Sequence, residues 1–562
     1  MSTDLRTLRL TLVVSGALAL GAYEAGVVAQ LAYTLGQYQK DLKEGEPPLA
    51  VVDIISGASA GAITGSMLAT HIMRGGDPAE FVAGSRKVWC SPDTNLQNLV
   101  ALDAKDRNSI LSSRKIRAMA RRNFHPRSVD ASRVHQDEVI FTATLTALDK
   151  IPFETWTINS QARWAAWHGA SHQDYVTFSA DREKVWEVPL QRTRLDSDAQ
   201  LSSWDRMLSF SLASAAFPAV WEPLALKRHS SFFRPPWSEM EREIELEYAD
   251  GGILNNLPLN LAASSRRSLL SRHRREERIY LVIEPDPIKV GPDLPVHDNG
   301  NDNVWKVLGK VFGAMSEQSF YEDLRTAQET NHRLEARNQL FHRLAHSFTK
   351  SLRESDLAEE LKWLDQQLET LLLSLGSRST SQDVVAHYEE QFQSGEHTLH
   401  WMGALCDSRR QIFLRVVALL DRIADMDDQH FVRVERIRPP HHGLLLGASL
   451  GHLGGLVHEG LRLHDFIAGM EHCHHFFQQL AQRRGWPSPT PAPMDLSPEE
   501  VHSLENLPSP VQVKERFLAV MSQRLTHFLA DEMTTNPLAR SAMKLTAPWV
   551  LQALARRTPP PK

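Results

Sequence analysis

The first feature of the sequence that could do chemistry is a serine framed by small residues. Gly57-Ala58-Ser59-Ala60-Gly61 follows the β-branched run 51–55 by one residue and opens an Ala-rich stretch with helical spacing. A serine on a tight strand-to-helix turn is a nucleophile elbow, in which strained backbone exposes the hydroxyl and the flanking positions must be small. The helix start behind it offers unpaired N–H groups and a positive dipole end to a developing oxyanion. Such a hydroxyl needs a proton acceptor. Many histidines follow Ser59 and none has a distinctive context. Asp250 has one: Asp250-Gly251-Gly252 ends the strand-like run 243–249 and leads into Asn255-Asn256-Leu257-Pro258. A carboxylate on a glycine turn can approach a serine without bulk around it. Aspartate is a weaker base than histidine by about 2.6 in pKa, a gap that a dry pocket narrows. A third element, Gly16-Ala17-Leu18-Ala19-Leu20-Gly21, also joins a strand to a helix. Its N–H groups could line an oxyanion hole or cradle a phosphate. Its glycine spacing fails as a dinucleotide fingerprint, and no Lys-Ser/Thr follows as in a P-loop. Each element alone also has a bland reading, as a packing turn, a β-turn or a plain connection.

The surrounding patterns show what must position these residues. Runs 8–15, 51–55, 139–145 and 279–283 read as buried strands, and 21–38 and 62–72 carry apolar residues at helical spacing. Strand, helix and strand at these intervals imply parallel pairing with helical crossovers. Pro285, Pro287, Pro292 and Pro295 cluster near residue 290, where a boundary is expected. Beyond it, 304–353 and 355–375 read as long amphipathic helices, with Leu334, Leu340, Phe341, Leu344 and Phe348 on the apolar stripe. Residues 443–455 are rich in Gly and Leu, and 488–493 form a Pro-rich loop. The expected organisation is an α/β unit over 1–290 and a mostly α-helical region over 291–562.

Together the elbow, the aspartate triplet and the upstream loop, in this order, resemble the patatin-like phospholipase family. Gly57 to Gly61 comes early, soon after the Gly16 loop, whereas an α/β-hydrolase elbow follows more strands. Asp250-Gly251-Gly252 matches the family's Asp-Gly-Gly or Asp-Gly-Ala motif. Ser214-Ala215-Ala216-Phe217-Pro218 is similar to its Ser-x-Ala-x-Pro segment, and 141–147 to one of its strands. The resemblance covers roughly 8–290; residues 465–476 are similar to a segment of larger bacterial patatin-like proteins. It implies a three-layer fold around a central, mainly parallel sheet. It also implies a lipid acyl hydrolase of phospholipase A or lysophospholipase type, acting through an acyl-enzyme with Ser59 as nucleophile and Asp250 as base. Backbone N–H groups of Gly16, Ala17 and Leu18 would hold the oxyanion, and no metal or cofactor is required. The substrate would be a lipid, a phospholipid at a membrane surface. One departure stands out: where the family has Gly-Gly-Gly-x-Arg-Gly, this chain has Ala17, Leu18 and Leu20, so an arginine near the site is missing. The alternatives left open are a catalytically weak or inactive scaffold that binds lipid or protein, and a Ser-His-Asp esterase of another fold.

Composition narrows the classes. The 562 residues, 42% apolar and with net charge −6, make a well-cored protein with no global basic excess for nucleic acid. No polybasic run calls for an anionic membrane, and the cluster Arg272 to Arg278 reads as a solvated helix face. Three cysteines, Cys90, Cys406 and Cys473, argue against a disulfide framework and for a reducing compartment. Arg9 and Glu24 interrupt the apolar N-terminal run, so a signal peptide is not expected, nor is a membrane span. A cytoplasmic location is expected, and a peripheral position on a membrane is what the lipid substrate of the resemblance implies. His472-Cys473-His474-His475 fits no structural zinc spacing and reads as a helix with polar histidines on one face.

Overall fold

The computed structural model describes residues 7–40, 42, 46–100, 109–158, 164–189, 200–218, 220–234, 236–269, 277–285, 322–323, 325–334, 357–374, 380–393, 407–423, 432–441 and 444–533. Of the expected amphipathic positions, Leu334 is buried, while Leu340, Phe341, Leu344 and Phe348 lie outside these residues, as do Cys406 and 286–295.

The first part runs β1 (Leu8–Val14), α1 (Gly21–Gln39), β2 (Ala50–Gly57), α2 (Ala60–Met73), α3 (Pro78–Cys90), α4 (Ser113–Phe124) and β3 (Val139–Ile158). It continues through β4 (Trp164–Ala180), β5 (Val185–Glu187), β6 (Gln200–Ser202), α5 (Trp204–Ser214), β7 (Leu224–His229), β8 (Glu243–Asp250), α6 (Leu259–Leu269) and β9 (Glu277–Ile283). The later elements needed here are α7 (Leu357–Ser374), α8 (Ser381–Gln393), α9 (Asp407–Ile423), β10 (Val434–Ile437), α10 (Glu459–Arg484), α11 (Pro498–Glu505) and α12 (Pro510–Met533).

The sheet order is β10-β9-β1-β2-β3-β4-β5-β6, with the β7–β8 pair branching from β3. The five strands from β10 to β3 pair in parallel. Their apolar runs lack alternation because both faces are covered. Leu10, Leu12, Val14 and Leu281 face a core shared with α1 and α2, whereas Val13, Ile54, Ile140 and Val282 pack against α6 through Leu259 and Ala262. The result is a helix–sheet–helix sandwich. The strand expected over 139–145 continues to residue 158 as one arm of a long antiparallel hairpin with β4.

Asp53 interrupts the β2 run for a structural reason. The β1–β2 register shifts after Leu10, which leaves Asp53 as the extra residue. Its buried carboxylate receives Arg278 Nη1 at 2.6 Å, Arg278 Nη2 at 2.8 Å and Arg9 Nη1 at 2.8 Å. Arg278, expected on a solvated face, is therefore a buried counter-ion on β9; Arg272, Arg274 and Arg275 lie outside the described residues.

The chain beyond residue 290 is mostly helical where described. α7, α8 and α9 share a small core around Leu368, Val385, Tyr388 and Phe413. Two later elements return to the first part. β10 extends the parallel sheet beside β9. α10 crosses α1 at backbone contact: a Cβ on Gly26 would stand 2.0 Å from Phe466 O, and one on Gly469 2.2 Å from Tyr23 O. The helix also carries Cys473, Phe476 and Phe477 into the main core. Cys90 and Cys473 are buried free thiols. No helix among the described residues is long and apolar enough to cross a membrane.

Candidate active site

β2 ends at Gly57 and α2 starts at Ala60, which leaves Ser59 on the turn with φ 51° and ψ −121°. A non-glycine residue keeps such angles only where its surroundings enforce them. Here the turn is seated on β1: a Cβ on Gly61 would lie 2.5 Å from both Val14 O and Ser15 O. Ser59 N–H donates to Ser214 Oγ at 2.9 Å.

Asp250 closes β8, and its partners come from three directions. Its N–H donates to Ala216 O at 2.9 Å, Thr146 Oγ1 donates to its carbonyl at 2.8 Å, and Gly252 N–H donates to its Oδ1 at 2.7 Å. The remaining carboxylate oxygen, Oδ2, accepts the Ser59 hydroxyl at 2.5 Å. Two residues 191 positions apart thus meet in a direct, buried hydrogen bond. Ser214, the last residue of α5, and Ala216 just beyond it hold one partner each, so the C-terminal end of this helix sets the spacing of both. Burial pushes the Asp250 carboxyl up to about 7, although the bonds from Ser59 and Gly252 pull it down. No histidine among the described residues hydrogen-bonds Ser59 Oγ or the Asp250 carboxylate.

The upstream turn differs from expectation at one of its three positions. Gly16 N–H is taken by Asn256, at 3.1 Å to Oδ1 and 3.2 Å to the carbonyl, and Asn256 Nδ2 donates back to Gly16 O at 3.3 Å. That N–H is committed to positioning the turn. Leu18 has φ 48°, a second strained non-glycine residue beside the serine.

Residues 446–465 support this turn from behind. Gly447 and Gly455 approach Leu20 and Ala19, at 3.3 and 3.0 Å from an added Cβ. Both are held by α10. Asp465 accepts Leu446 N–H and Gly447 N–H, each at 2.8 Å. Arg462, 1% exposed, donates to Gly455 O at 2.5 Å, Trp89 O and Ser91 O at 2.8 Å, and Thr94 Oγ1 and Asn95 Oδ1 at 2.9 Å. No carboxylate among the described residues pairs with it. Its guanidinium, brought down by burial to about 10, still carries charge at neutral pH. The side chains of Ser59 and Arg462 line one cavity of about 950 Å³, counted with its open mouth. Leu18, Ile63, Trp89, Met119 and Trp221 make much of its wall apolar.

The family model for patatin-like phospholipases matches residues 12–263, which contain the turn, the elbow and the aspartate. Residues 12–263 belong to the patatin-like phospholipase family. The patatin-like domain thus brings a hydrolase assignment, with lipid esters as the substrate class. No curated protein matches the chain. The patatin-like match ends before β9, so the strand carrying Arg278 and the residues of α10 behind the turn come from outside it. Ser214 and Asn256 stood in quoted motifs without a role; Arg462 carried no sequence signal beyond lying near the 465–476 resemblance. The His472 to His475 run lies on α10, with His472 Nδ1 3.0 Å from Tyr23 Oη and Cys473 in the core. Among the described residues no cluster of His, Cys, Asp and Glu is placed to hold a metal ion.

Proposed function

We propose that this chain hydrolyses fatty acyl esters of lipids through a Ser59–Asp250 dyad. The observation that carries the proposal is the 2.5 Å bond from Ser59 Oγ to Asp250 Oδ2 at the wall of an apolar cavity. Ionised Asp250 accepts the hydroxyl proton as Ser59 Oγ attacks the ester carbonyl. The carbonyl oxygen becomes the oxyanion and takes hydrogen bonds from Ala17 and Leu18 N–H. Collapse expels the alcohol, which takes the proton from Asp250, and leaves an acyl-Ser59. Water, deprotonated by the same carboxylate, then releases the fatty acid and restores the serine. A carboxyl near 7 is a far better base than an ordinary aspartate and is still largely ionised in slightly alkaline solution. The apolar wall suits an acyl chain. A fluorophosphonate probe tests the assignment: native protein is expected to label and Ser59→Ala to remain unlabelled. Equal labelling of both, or no labelling of native protein, would favour a non-catalytic scaffold.

A further inference from the structure

The wall of this pocket is also a surface. α4 contributes Ile116, Met119 and Ala120 to the cavity, and it buries Ala120 and Phe124. At 100° per residue its opposite face carries Arg114, Lys115, Arg121 and Arg122, all exposed, and exposed Arg127 follows the helix. Residues 113–127 contain no Asp or Glu, in a chain whose net charge is −6, and the expectation that no polybasic run calls for an anionic membrane passed over this helix because its cations are interleaved with apolar residues. The acidic neighbours are few. Glu222 stands 3.9 Å from Arg117, Asp205 stands 3.3 Å from His125, and Glu80 accepts from Ser128. Lys115 Nζ donates to Asn98 O. Among the described residues no carboxylate pairs with Lys115, Arg121, Arg122 or Arg127. Like charges crowded on one helix face repel one another, and a dense negative surface would reverse that cost. The half-exposed Arg117 and Glu222 also line the cavity, so its rim adjoins the basic face.

We propose that this face of α4 docks the pocket onto an anionic phospholipid surface. An anionic leaflet attracts each nearby Lys or Arg with about 1 kcal/mol, within a screening length of about 8 Å at physiological ionic strength. Docked this way, the rim at Arg117, which adjoins Arg121 on the helix, meets the head groups, and an acyl chain can pass from the bilayer into the apolar cavity. The consequence for turnover rests on the hydrolase reading above; the binding does not.

The test is vesicle co-sedimentation of the full chain carrying Ser59→Ala, so that lipid stays intact. Binding is expected to vesicles of phosphatidylcholine mixed with phosphatidylglycerol and not to phosphatidylcholine alone. It should be released near 1 M salt, where the screening length is about 3 Å. Adding Lys115→Gln, Arg121→Gln and Arg122→Gln together should weaken binding about 100-fold, roughly fivefold per charge. Lys184→Gln with Lys227→Gln, exposed cations elsewhere, should leave it unchanged. In a chain with native Ser59, the triple variant should hydrolyse a soluble short-chain ester at the native rate but lose activity on anionic vesicles. Equal binding to neutral vesicles, a triple variant within twofold of its parent, or tighter binding to single-stranded DNA than to anionic vesicles would overturn the proposal. Failure of native protein to turn over the soluble ester would instead count against the dyad and leave the binding result standing.

Discussion

Asp250→Asn should abolish activity and stabilise the fold, with the gain growing as pH rises. The replacement is nearly isosteric: an Asn Oδ1 can accept Gly252 N–H, and its Nδ2 can face Ser59 Oγ, where the carboxylate oxygens now stand. What changes is the cost of burying a charge. The ordinary aspartate value is 3.8, and burial raises Asp250 to about 7. The folded protein therefore binds the extra proton between these values, and stability falls as pH rises through that window. Below pH 3.8 the carboxyl is neutral folded or unfolded and contributes nothing to this slope. Above about 7 the full penalty is present, about 4 kcal/mol at about 1.36 kcal/mol per pH unit. At pH 5 about 2 kcal/mol of it has accrued. Urea titrations of native protein and Asp250→Asn should thus show the variant more stable by about 2 kcal/mol at pH 5 and about 4 kcal/mol at pH 8. Turnover by the native chain should rise with pH around 7 as the base ionises. A pH-independent difference between the proteins, or a variant less stable than native at pH 8, would refute the reasoning. Either result would mean that the charge is compensated.

Two further substitutions test the supports of the site. Arg462→Met keeps the apolar stem but removes the donors to five oxygens, so a loss of at least about 3 kcal/mol is expected in denaturant titration. Because Gly455 abuts Ala19, fluorophosphonate labelling of the folded variant should also slow. Asp53→Asn leaves Arg278 and Arg9 against a neutral group and should cost about 3–5 kcal/mol. Burial opposes ionisation of Asp53, yet Arg278 and Arg9 hold it below 3.8. Its contribution is therefore present above 3.8 and lost as pH falls through the lower folded value. Native protein should lose stability in that acid range, and Asp53→Asn should lose less.

What the sequence determined by itself was local. The Ser59 turn was legible because five small residues between a strand and a helix fit an elbow, although a plain packing turn fits them too and the serine became a candidate only with the Asp250 triplet beside it. Asp250 was legible because a carboxylate on a Gly-Gly turn at a strand end is a distinctive arrangement. The alternation of buried strands with helices identified a parallel sheet, since only crossover connections join such strands. The tertiary structure decided what depends on contacts distant in sequence. It brought Asp250 to Ser59, raised its carboxyl by desolvation, and committed Gly16 N–H to Asn256. It turned Arg278, one charge in a basic cluster, into the counter-ion of Asp53. It also brought β10 to the sheet edge and Arg462 to the back of the turn that stands beside Ser59. A sequence window reports propensity and spacing, whereas burial and charge pairing depend on which distant segments fill the space around a residue. That is why the serine could be read from the chain alone, and its surroundings could not.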